Sequence, residues 1–158
     1  MLFRLYRDED FAALYALEER CFQPPLRFGR GYMRQLLENA NSATWIAEGG
    51  DGKLVGFAIV EWGEGSDGIE AYLQTIEVDL KYRGQGIGKE LLRRAEASAQ
   101  AADAGTLRLH VDTLNETAIR LYERHGYRRE GREENYYARG RPALVYVKRL
   151  RPSQSGRD

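Results

Sequence analysis

Apolar positions along the chain change period several times, and each change marks an element. Residues 2–6 alternate apolar and polar as a half-buried strand does. Phe11, Leu14, Tyr15, Leu17, Cys21 and Phe22 then recur close to helical spacing, with Asp8 placed to cap the helix and Pro24-Pro25 to end it. Met33, Leu36, Leu37 and Ala40 predict a second helix over 32–40. From Ala43 the period falls to two. Residues 43–48 and 53–62 read as strands joined at Gly49-Gly50-Asp51-Gly52, a turn-rich loop follows over 63–68, and 69–78 reads as a long strand. Ile87, Leu91, Leu92, Ala95 and Ala99 return to helical spacing, with Gly105 as the expected stop. A strand over 106–112, a short helix capped by Asn115 and closed by Gly126, and a hairpin of strands over 127–136 and 143–150 complete the pattern.

The order β-α-α-β-β-β-α-β-α-β-β alternates hairpins with helical crossovers. It predicts an α/β (α+β) fold with a mixed, mostly antiparallel central sheet covered by helices. The length of 158 residues suits one domain over 1–150 followed by a polar tail over 151–158. Twenty-four Lys+Arg balance twenty-four Asp+Glu, so no global basic field for nucleic acid exists. No apolar run reaches the length of a membrane span, and acids occupy the N-terminal stretch where a signal peptide needs apolar residues. One cysteine, Cys21, allows no intrachain disulfide and fits a reducing cytoplasm. One Cys and two His, His110 and His125, are too few favoured ligands for a four-ligand zinc site, so no metal is expected.

Arg83-Gly84-Gln85-Gly86-Ile87-Gly88 follows a strand and opens a helix. Three glycines let the backbone approach a ligand, and the helix start presents unpaired N–H groups suited to a phosphate. The spacing fits neither a Walker loop nor a dinucleotide fingerprint, because Arg83, Lys89, Glu90 and Leu91 stand where those motifs need other residues. What remains is Arg-x-x-Gly-x-Gly, whose alternative reading is a tight turn without a ligand. Downstream, Leu107, Leu109 and Val111 share one strand face, and Arg108, His110 and Asp112 take the other. Asn115 and Tyr122 lie two helical turns apart on one face.

With its preceding strand and following helix, the glycine loop resembles the acetyl-CoA-binding segment of the GCN5-related N-acetyltransferase (GNAT) superfamily. The resemblance implies a pyrophosphate cradle of Arg83, Gly84, Gln85, Gly86, Ile87 and Gly88, and backbone contacts to the cofactor from Ile76 and Val78. Asn-x-x-Ala-x-x-Leu-Tyr-x-x-x-Gly-Tyr resembles the superfamily's second cofactor motif, which implies Asn115 as a CoA contact and Tyr122 as general acid near the thiol. Cys21-Phe22 with Pro25 and Phe28, the Leu-x-Val-x-x-x-Asn passage, and Asn135-Tyr136-Tyr137 resemble N-terminal protein acetyltransferases, including the RimI type. Phe28, Tyr136 and Tyr137 would then hold the acceptor, a protein or peptide N-terminus.

RimI-type members carry Glu where this chain has His110. A eukaryotic branch has His there, paired with a Tyr on the preceding long strand, and Tyr72 matches that position. The resemblance therefore implies a catalytic set of His110 as base, Tyr72 beside it and Tyr122 as acid. Glu77, a carboxylate on the same strand, is the competing base. Histidine titrates near neutrality and can take the ammonium proton, so neither a metal nor a covalent intermediate is needed. Two other readings stay open: a small-molecule amine acetyltransferase, and a non-catalytic acyl-CoA-binding module.

Overall fold

The computed structural model describes residues 1–150; the polar tail expected over 151–158 lies outside the described residues. The elements are β1 (Leu2–Leu5), a 3-10 turn (Asp8–Asp10), α1 (Phe11–Cys21), α2 (Arg30–Glu38), β2 (Ser42–Glu48), β3 (Leu54–Gly65), β4 (Gly68–Val78), a second 3-10 turn (Leu80–Tyr82), α3 (Ile87–Ala101), β5 (Thr106–Asp112), α4 (Glu116–Arg124), β6 (Arg128–Ala138) and β7 (Arg141–Arg149). The described strands form one seven-stranded sheet in the order β1-β2-β3-β4-β5-β7-β6. Every pairing is antiparallel except β4 with β5, which is parallel. The expected order and mixed sheet are both present.

Helices cover both faces. Leu14, Leu17, Met33 and Leu36 of α1 and α2 bury against Ile46, Phe57 and Ile59. On the other face Ile87 and Leu91 of α3 meet Val55 and Ala58, and Leu92, Ala95 and Tyr122 meet Leu73, Leu107 and Leu109. Gly56 permits this packing: a Cβ there would sit 2.9 Å from the Glu77 carbonyl oxygen and 3.3 Å from Leu91, so only hydrogen lets the start of α3 press onto β3.

Several local expectations change. Asp8 begins a 3-10 turn, while the nearby Asp10 carboxylate accepts from the Arg7 amide at 2.8 Å and pairs with Arg4. The acid two residues on does the local bonding because Arg4 lies within its reach. Asp103, not Gly105, closes α3: its φ of 66° takes the left-handed position, and Ala104 N–H reaches back to the Ala99 carbonyl at 3.0 Å. Gly105 instead donates to Ile69 of β4. The stretch 63–68 is mostly strand, with only Ser66 and Asp67 between β3 and β4, and α2 starts two residues before its expected place.

One irregularity organises everything else. In β4, Thr75 pairs with Ile59 and Leu73 with Val60, so Gln74 is an extra, unpaired residue. Such a bulge bends its strand and raises its twist. The parallel pairing with β5 runs from Glu70 with Thr106 to Leu73 with Leu109 and stops there. Beyond the bulge β4 continues to Val78 and β5 to Asp112, and the two part.

Candidate active site

The parting opens a cleft of about 860 Å³. Its floor is the glycine loop. Gly84 and Gly86 have φ of 80° and 83°, the left-handed region that favours glycine, and nothing lies within 4 Å of where their Cβ atoms would stand. Gly86 is the N-cap of α3 and offers no side chain, so the first amides of a fifteen-residue helix are left open. Gly88 brings α4 close instead, since a Cβ there would touch Leu121 at 3.6 Å. Arg83, Lys89, Arg120 and Arg124 supply positive charge at the cleft wall. Open amides at a helix start, a backbone free of Cβ atoms and nearby cations suit a pyrophosphate. The cradle therefore fits CoA.

Ile76, Val78, Arg83, Gly84, Gly86, Ile87, Gly88, Asn115 and Tyr122 all line this cleft, as does Glu77; Gln85 lies in the loop but not on the lining. Asn115 also caps α4, its Oδ1 accepting from Ala118 N–H at 3.2 Å. Tyr122 is buried, and its hydroxyl has no hydrogen-bond partner among the described residues. Burial pushes that phenol's pKa up, so it stays protonated. His125 donates from Nδ1 to the Leu121 carbonyl at 2.7 Å in the tautomer that bond selects. Cys21 is half-buried, and desolvation raises its thiol's pKa, which suits packing rather than nucleophilic attack.

A second group of side chains gathers on the face covered by α1 and α2. The Tyr72 hydroxyl lies 2.7 Å from His110 Nδ1. The His110 ring stacks on Tyr136 with centroids 4.1 Å apart and planes 5° apart, and Tyr137 meets Tyr136 edge-on at 4.9 Å. A conformational detail aims Tyr136: Asn135 has φ 55° within a register shift of β6, and its Oδ1 accepts from Gly140 N–H at 2.7 Å. Burial first, then the Tyr136 hydroxyl, raises the Tyr72 pKa, so Tyr72 is a neutral phenol at physiological pH. Phe28 enters through Tyr32, whose ring it meets edge-on at 5.3 Å.

Glu77 does not join this group. It is 3% exposed, accepts from Thr75 Oγ1 at 2.9 Å and faces Glu18 of α1. Three participants had no motif to announce them. Tyr32 acts electrostatically on Tyr72 from α2. Glu133 brings Oε1 within 3.2 Å of His110 Nε2, without hydrogen-bond alignment. Arg141 pairs with the buried Asp112 at 2.8 Å at the cleft wall. Their signals are single residues on a helix and on two strands, and only the fold brings them near the motif residues.

Comparison with known proteins agrees with this geometry. Residues 11–127 match the model of the Acetyltransferase (GNAT) family. The chain is 33% identical over 143 residues to a putative [ribosomal protein bS18]-alanine N-acetyltransferase of Bacillus subtilis, covering 90% of this chain and 91% of that one. It is 40% identical over 90 residues to a streptothricin acetyltransferase of Streptomyces lavendulae, covering 57% of this chain and 47% of the relative. Among solved structures, NAA60 of Arabidopsis thaliana in complex with a bisubstrate analogue superposes with a TM-score of 0.84 at 24% identity, over 96% of this chain and 99% of that one.

Proposed function

The chain belongs to the acetyltransferase (GNAT) family and is an acetyl-CoA-dependent N-acetyltransferase; from that premise we propose that it acetylates the α-amino group of a protein or peptide N-terminus. The observation that carries this reading is the Tyr72–His110 hydrogen bond, set among aromatic rings beside the point where β4 and β5 part. The B. subtilis relative, by its name a putative [ribosomal protein bS18]-alanine N-acetyltransferase, supports it along nearly its whole length.

Acetyl-CoA supplies the activated acyl group. Arg83, Gly84, Gly86, Ile87 and Gly88 hold its pyrophosphate, with Gln85 completing the loop and Asn115 contacting the cofactor from α4. Ile76 and Val78 offer the backbone of the parted β4. On the other side Phe28, Tyr136 and Tyr137 hold the acceptor's first residues. The ammonium must lose a proton before it can attack. Tyr72, with its hydroxyl on His110 Nδ1, passes that proton to the imidazole, directly or through a water. Tyr122, protonated and unpaired, donates to the departing sulfur. Glu77, buried against Glu18, is not needed as the base.

The test is turnover against peptides that differ in their first two residues, with a lysine-only peptide as control. His110→Ala should lower kcat by roughly 10²–10⁴, the usual contribution of a general base. Acetyl-CoA affinity should stay near the wild-type value. An unchanged kcat in His110→Ala would return Glu77 to consideration. The streptothricin acetyltransferase likeness favours a second reading, a small-molecule amine acceptor. Turnover of such an amine with none of any peptide would establish it.

A further inference from the structure

Glu18 and Glu77 are the two most deeply buried carboxyl groups among the described residues, at 1% and 3% exposure. One oxygen of each has a partner. Glu18 Oε2 accepts from the Phe28 amide at 2.9 Å, and Glu77 Oε2 accepts from Thr75 Oγ1 at 2.9 Å. The Phe28 carbonyl, in turn, accepts from Tyr15 hydroxyl at 2.8 Å, so α1 grips Phe28 by both of its backbone groups. What is left over is one oxygen on each acid. Glu18 Oε1 and Glu77 Oε1 are buried, without a donor, and the two side chains are within hydrogen-bonding reach of each other.

Two ionised carboxylates cannot face each other in an apolar interior, where charge repulsion and desolvation add. A single proton between the two orphan oxygens removes both penalties and gives every oxygen of the pair a partner. We propose that Glu18 and Glu77 share one proton, and that this bridge is a positioning device that ties Phe28, on the acceptor side, to the strand running beside the cofactor cleft. The proposal rests on the acceptor reading above and deepens it, because Phe28 shapes Tyr32 and Tyr32 borders Tyr72 and Tyr136. The remaining groups that face Glu77 are Cys21 on α1 and Thr75 on its own strand; Arg83 and Asp79 act on Cys21 rather than on the pair. No cation among these neighbours offsets the pair, so a proton must. Burial and Glu18 both raise the Glu77 pKa, as such sharing requires.

The sign of the pH effect follows. A carboxyl whose folded pKa lies above its unfolded value adds stability at low pH and loses it as pH rises through the folded value. The thermal midpoint of the wild-type protein should therefore fall on the alkaline side. Glu77→Gln replaces the shared proton with a permanent amide donor, so its midpoint should fall less over the same range. Parallel falls in the two proteins would overturn the bridge. This comparison needs no acceptor, so it judges the proton even where the peptide reading fails. The positioning role is read separately. Glu18→Ala frees the Phe28 amide and should raise the peptide KM about tenfold, the scale of a lost hydrogen bond to a charged group. Acetyl-CoA affinity should hold. Glu18→Gln keeps an acceptor for Phe28 and a donor for Glu77, and should bring the KM back toward wild type. Equal KM values in Glu18→Ala and wild type, or no rescue by Glu18→Gln, would overturn the positioning role.

Discussion

Tyr122 differs from the buried tyrosines around it in a way only coordinates reveal. Tyr127 donates to Glu96 at 2.7 Å, Tyr146 to Glu123 at 2.6 Å and Tyr15 to the Phe28 carbonyl at 2.8 Å. Tyr122, at 5% exposure, donates to none of the described residues. Tyr122 lines the cleft, so its hydroxyl is a donor open to whatever the cleft holds. Tyr122→Phe should consequently leave the thermal midpoint unchanged and lower kcat by roughly 10²-fold, the low end for acid–base groups. Tyr127→Phe is the contrast: it loses a bond to a carboxylate, which should cost about 1.5–3 kcal/mol of stability by denaturant titration while turnover persists. A matched loss of stability in both variants would make Tyr122 a packing residue. The spacing of Asn115 and Tyr122 made this tyrosine legible in the sequence. Glu18, Tyr32 and Glu133 were not legible, because an isolated Glu or Tyr on a helix or edge strand carries no periodic signal and gains meaning only from what the fold sets across from it.

Strands and helices were readable where hydrophobic period and glycine punctuation agreed. The β4-loop-α3 passage is the clearest case: alternating residues, three glycines, then Ile87, Leu91 and Leu92 at helical spacing. Two of the sheet's register shifts, those beside the site, were not readable. Gln74 breaks β4 with a single lengthened step in the apolar pattern, from Leu73 to Ile76, because the bulge puts Gln74 and Thr75 on the α1 side together and leaves Leu73 and Ile76 on the α3 side; one step of three is too short a signal to separate from an ordinary polar position. Asn135 breaks β6 with a left-handed residue that could equally have been a polar strand position. Yet these two irregularities set the site: one parts β4 from β5, and the other turns Tyr136 onto His110. Asn135→Ala should cost about 1–2 kcal/mol, because alanine tolerates the left-handed region less well than asparagine and cannot accept from Gly140. Asn135→Gly keeps the backbone conformation and should lose less. Urea titration of the three proteins orders them, and an Ala variant as stable as Asn would mean the bulge is held by its neighbours alone.

At the scale of the whole molecule, equal numbers of acids and bases conceal an uneven distribution. Arg83, Lys89, Arg120, Arg124 and Arg141 line the cleft with two acids, Glu77 and Asp112, while Glu64, Glu70 and Glu133 lie near Tyr72 and His110 with one arginine, Arg108. A neutral sum excluded a global nucleic-acid field but carried no information on this split. Ile87 and Gly88 of α3 and Leu121 and Tyr122 of α4 stand on the wall of this cleft. A ligand bound there joins α3 to α4 and should stabilise the molecule as a unit. At a hundredfold excess over its dissociation constant, CoA should add about 2.7 kcal/mol. The gain should shrink as salt rises, since screening weakens the attraction between the arginines and the phosphates. Gly86→Asp tests the origin of that gain. Its Cβ has open space but its φ of 83° is unfavourable for a side chain, so some loss of stability in the free protein is expected. The carboxylate would project toward the space assigned to the pyrophosphate and repel it. Thermal midpoints with and without CoA should then coincide in Gly86→Asp and differ in wild type. A CoA-induced rise of equal size in both proteins would place the phosphates elsewhere and sink the cradle.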